Sequence, residues 1–156
     1  MTTQKLKDNC IHLYYEILML NETAKLSDVN DGVKNNSYLE SFTVHSRILI
    51  DFLFKPNRGR EKNDIFAVDY FDESTDWDIG EIPEILKKAK KRVGKEIVHL
   101  TTSRVEVILD EKGWNRVEIC KQINEKFTVF INSAPDKKIS PALISLRNKM
   151  NLFSHP

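Results

Sequence analysis

Apolar residues recur along this chain at helical spacing rather than strand spacing. Leu6, Cys10, Leu13, Ile17, Leu20 and Ala24 alternate steps of four and three. That seam predicts a first helix from about Gln4 to Leu26, and Ile11, Tyr14 and Leu18 widen it into a face buried in a bundle. The turn formers SDVNDGVKNN end it. A second helix is expected over 37–54, opened by a Ser37/Glu40 capping box, with Phe42, Leu49, Phe52 and Leu53 on one side. A third is expected from Pro83 to about Leu109, with Ile85, Leu86, Ala89, Val93, Ile97, Leu100, Val107 and Ile108 as its stripe. The fourth restarts near Gly113 and Asn115 and buries Val117, Ile119, Cys120, Ile123, Phe127, Phe130 and Ile131. Ser140-Pro141 reads as the cap and first turn of a short last helix. The predicted fold is all-α: one domain over 1–156, an up-and-down bundle of four main helices plus a short C-terminal helix.

Composition agrees with this picture. The 156 residues can bury a sizeable core, and 5 Gly and 5 Pro leave room for long helices. A net charge of +1 excludes a global field toward nucleic acid or lipid. No stretch approaches the roughly 18 apolar residues of a spanning helix, and MTTQKLKDNC does not read as a signal peptide. A cytoplasmic location is therefore the expectation. Cys10 and Cys120 fall at apolar-periodic positions and read as small buried hydrophobes, with a disulfide between them as the alternative.

Charge is segregated locally. Eight acids and no Lys or Arg lie between Asp64 and Glu84, interleaved with Ile65, Phe66, Val68, Tyr70, Phe71, Trp77 and Ile79. DIFAVDYF is expected to form a short helix or turn on the bundle, with the rest a loop held by Trp77. Six of the nine residues from Lys87 to Lys95 are basic. This run suits either a phosphate grip or a solvated face complementing the acidic segment. Gly94 sits within it at a cost of about 1 kcal/mol against Ala, which marks a close approach by another helix.

The candidate chemistry centres on histidines with arginines nearby. His45 falls inside the apolar stripe of the second helix, while Glu40, Arg47 and Asp51 line up opposite. On the third helix Arg92, Glu96, His99 and Ser103 lie along one line, with Arg104 beyond. Inward histidines within reach of Asp51, Asp69 and Glu96 suit either acid–base work or pinned helix packing. No Glu-x-x-His or His-x-x-x-His occurs, and the DVNDG stretch has its glycine one place early for a calcium loop, so no metal is expected. No phosphate-cradling glycine loop, GxSxG elbow or Cys-x-x-Cys is present, and no cofactor is expected.

Arg92-x6-His99 resembles the Arg-x4–6-His motif of the HEPN family of all-α nucleases and nucleotide-binding domains. Val93 stands where that family often carries a polar neighbour. Arg147-Asn148 has the polar neighbour, with His155 one residue beyond the family spacing. The resemblance implies RNA or a nucleotide as ligand and a homodimer that builds the site. Arg92 would then hold phosphate and His99 would serve acid–base cleavage, with Glu96 on the same helix line as a further catalytic candidate. His45, Arg47, Asp51, Asp69 and Arg104 are the accompanying binding candidates. The alternative is a non-catalytic interaction module, with these residues as internal struts and a protein as partner.

Overall fold

The computed structural model describes residues 1–26, 30–56, 63–72, 76–98 and 113–152. It is an all-α bundle. Helix α1 spans Thr3–Lys25, α2 spans Gly32–Phe54, and a 3₁₀ turn covers Ala67–Tyr70. Helix α3 spans Glu84–Arg92 and runs on as a π-helical turn, Val93–Val98. Helix α4 spans Arg116–Ser133, and the short α5 spans Pro141–Leu152. No strand occurs among the described residues, and none of their helices is long and apolar enough to cross a membrane.

Local chemistry sets the helix ends. Thr2 caps α1 by accepting the Lys5 N–H. Helix α2 begins five residues before the expected Ser37, because Asp31 is its cap and accepts the Lys34 N–H. The Ser37 hydroxyl bonds the Val33 carbonyl inside the helix instead of capping it. Asn115 caps α4 through the Glu118 N–H, and Ser140 accepts from Leu143 N–H at the start of α5. The far end of α1 is closed from a distance: the Arg116 guanidinium donates to Leu26 O at 2.6 Å and Thr23 O at 3.5 Å.

The predicted seam of α1 is buried at Leu6, Cys10, Leu13, Ile17 and Leu20. Ile11 and Leu18 are exposed, since they project from the opposite side of the helix. Val117 is also exposed, one residue inside the start of α4. Both cysteines are free thiols. Cys120 is half-buried beside a reciprocal amide pair, Asn21 with Asn124, that ties α1 to α4, and burial pushes its thiol pKa up.

The core gathers around one ring. Phe130 of α4 is fully buried and meets Phe52 of α2 at 5.0 Å, Tyr70 at 5.3 Å and Trp77 at 5.8 Å, all edge to face. Phe71 and Phe127 complete the shell. Trp77 also stacks on Phe71 and donates its indole N–H to Leu53 O. The acidic stretch is thereby pinned at both ends, at Tyr70–Phe71 and at Trp77. Lys126 holds it further, donating to Asp78 O and lying over the Trp77 ring. Asp72 takes Lys137 at 2.8 Å and the buried Lys138 at 2.9 Å.

Replacing Phe130 by Ala is expected to cost about 4 kcal/mol, the large-to-small penalty of a buried aromatic, measured by urea denaturation. The hydrogen bonds from Lys137 and then Lys138 hold the Asp72 carboxyl down at about 2. A depressed acid stabilises the fold above its ordinary range and loses that contribution as pH falls through the lowered value. A carboxyl-carbon NMR titration should give a midpoint near 2 for Asp72, and Lys137→Met should move it up toward the ordinary carboxylate range.

Candidate functional site

His45 lies on the α1-facing side of α2 and is buried. Its Nδ1 lies 2.6 Å from Glu16 Oε2, and the Tyr15 ring meets the imidazole edge-on at 5.5 Å. Both members of the pair are sheltered, with side chains 10% and 17% exposed, so each satisfies a group that would otherwise be costly to bury. Glu16 belongs to α1, 29 residues away in sequence. Its trace in the sequence is a lone acid at the edge of the α1 seam.

Beside this pair a cleft of about 310 Å³ opens between α1, α2 and the 64–70 stretch. Asn9, His12, Glu16, Asp51, Asp64 and Tyr70 supply its polar lining. The Asp51 Oδ1 atom is buried and takes the Lys90 ammonium at 2.5 Å, without the alignment of a hydrogen bond. Asp64 has Lys55 at 3.9 Å. The acids of the cleft thus already face cations of the chain, and no cluster of three potential metal ligands occurs among the described residues. Asp69 has a local role, accepting the Phe66 N–H at 2.8 Å across the 3₁₀ turn. Arg47 is half-buried on another side of α2. Its guanidinium packs over Gly94, where an added Cβ would sit 3.3 Å from a terminal nitrogen. The close approach expected at Gly94 is therefore by the side chain of Arg47, at the π turn.

The second arrangement is built on α3 and the start of α4. Arg92 makes a two-pronged pair with Glu96: Nε to Oε1 at 2.7 Å and a terminal nitrogen to Oε2 at 2.8 Å. Its other terminal nitrogen donates to Gly113 O, and the guanidinium lies 4.2 Å from the Trp114 ring centre. Arg92 thus fastens the start of α4 to the end of α3. Around it opens a groove of about 560 Å³. Ile85, Ala89 and Ile119 form its apolar part, Arg92 and Trp114 one wall, and the exposed Lys88, Lys91 and Lys95 its rim. Glu96, its acid, is engaged by Arg92.

His99, Arg104 and His155 lie outside the described residues. Arg147 is half-buried and pairs with Asp136 at 2.8 Å. Of the described candidates, Asp51 lines the cleft, Arg92 and Glu96 line the groove, and His45, Arg47 and Asp69 are engaged elsewhere. Spacing does not single out Trp114, because a lone aromatic at a helix start carries no periodic signal. No protein-family model, curated protein or solved structure matches this chain.

Removing one member of the buried pair strands the other. Glu16→Ala and His45→Ala are each expected to cost about 2 kcal/mol, and the double variant clearly less than their sum. Chemical denaturation of all four proteins checks this. Strict additivity would show that the two groups do not interact.

Proposed function

We propose that the chain is a non-catalytic binding module for phosphate-bearing ligands, RNA or a nucleotide, held in the groove between α3 and α4. The observation that carries this reading is the distribution of the basic run. Within that run Lys90 faces the Asp51 carboxylate and Arg92 faces Glu96. Lys88 and Lys91 are exposed at the edge of one concavity. Lysines act as point charges toward phosphate, and a cavity of this size suits a nucleotide-sized group. The layered Arg92 and Trp114 offer a planar wall, and bases stack on both kinds of surface.

In this reading Arg92 orients the wall rather than gripping phosphate, since its donors already have Glu96 and Gly113 as partners. A cleavage role for Arg92, Glu96 and His99 rests on the HEPN resemblance. It requires Arg92 to leave Glu96 when substrate arrives.

Fluorescence anisotropy with a labelled single-stranded RNA tests the reading, with a mononucleotide triphosphate as competitor. Binding should weaken with salt along a slope of about −2, as for some three neutralised phosphates. Lys88→Glu/Lys91→Glu should weaken it at least about tenfold and flatten the slope. Competition by the nucleotide identifies a single-nucleotide pocket, and its absence a strand-tracking groove. Equal affinity of the variant contradicts the proposal. RNA recovered intact from wild type fits a binding module, and RNA shortened by wild type but not by Arg92→Ala/His99→Ala restores the catalytic reading.

A further inference from the structure

Two apolar stripes run along α1, and one of them is buried. Leu6, Cys10, Leu13, Ile17 and Leu20 face the core. On the far side Ile11 is 66% exposed, Tyr15 49% and Leu18 45%. Their spacing of four and three residues is that of a helix-pairing seam. Val44 and Ile48 are exposed on the neighbouring α2, and Tyr15 already touches His45 of that helix. Ile48 also lines the cleft, and these side chains together leave apolar surface exposed on both helices of the α1–α2 pair.

We infer that this face docks a second copy of the chain, with α1 of one copy antiparallel to α1 of the other about a two-fold axis beside Tyr15. The face is self-complementary under that operation, as a two-fold contact requires. Reversing the helix sets Ile11 against Leu18 of the second copy, and Leu18 against its Ile11. The same register sets Lys7 against Glu22 of the second copy, so opposite charges meet at both ends of the seam. Area supports the same occupant. The five side chains expose on the order of 400 Å² of apolar surface per copy. A standard interface buries roughly 800 Å² per partner, a little over half of it apolar. The patch therefore matches what a stable dimer removes from water. This inference rests on α1 and α2 and is independent of the groove on α3.

Analytical ultracentrifugation of the full chain should give twice the 18.2 kDa of one copy at tens of micromolar, roughly the range expected for a modest apolar interface. Ile11→Glu/Leu18→Glu should sediment as one copy with an unchanged helical circular-dichroism spectrum. Tyr15→Cys, oxidised with copper–phenanthroline, should form a disulfide-linked dimer, because the axis brings position 15 near its own copy. Val129→Cys, exposed on α4, should not. The cross-linking arm decides the matter even if the charged variant fails to fold. A single-copy mass at every concentration overturns the inference and leaves the face to a different protein. So does a dimer that survives the double substitution, or a Tyr15→Cys chain that stays uncrosslinked.

Discussion

The packing of Phe130 is the contact on which the arrangement depends. Its ring is where α2, the 3₁₀ turn, the Trp77 segment and α4 meet. An acidic stretch of this kind has little reason to lie on a bundle: its carboxylates prefer water, and its backbone gains no ladder of hydrogen bonds. Edge-to-face contacts with Phe130 offset that preference by burying Tyr70, Phe71 and Trp77. Once Trp77 is seated, the chain that follows is led to Pro83 and α3 starts where it does. The groove on α3 is therefore positioned, several contacts away, by a core aromatic that takes no part in it.

Charge then divides into two populations. Sheltered ionisable groups are paired within the fold: His45 with Glu16, Arg92 with Glu96, Lys138 with Asp72, Arg147 with Asp136. Such pairs contribute little net stability over apolar replacements, but breaking one strands a partner, so they fix which helix faces which. Among the described residues, the exposed Lys88 and Lys91 of α3 carry no comparable constraint. Outside the core they cost nothing in desolvation and keep their field for a ligand. This separation underlies the binding reading. Arg92 and Glu96, which look catalytic by spacing, are paired with each other at the groove, and Lys88 and Lys91, which look like a solvated face, line it too.

Much of the fold was legible in the sequence, for a definite reason. A seam stepping by four and three residues has one helical solution, and the α1 core positions from Leu6 to Leu20 followed from it. The N-terminus of α2 was misplaced because Ser37 and Glu40 reproduce the spacing of a capping box, while the actual cap, Asp31, sits in a stretch dense with turn formers. Ile11 and Leu18 were assigned to the core because periodicity shows that a stripe is apolar, not which of two stripes faces inward. The π turn at Val93–Val98 leaves no periodic mark. The site was less legible, because its partners are set by tertiary contact. Nothing local ties Glu16 to His45, Lys90 to Asp51, or Trp114 to Arg92.

The division between paired struts and a lysine-rimmed groove is tested most directly by amide and indole chemical-shift mapping during titration with a single-stranded RNA. Shifts concentrated on α3 and the π turn from Lys88 to Lys95 and on the Trp114 indole N–H, with Glu16 and His45 unmoved, are the predicted result. Shifts centred on the His45–Glu16 cleft, or none on α3 at saturating RNA, would contradict it.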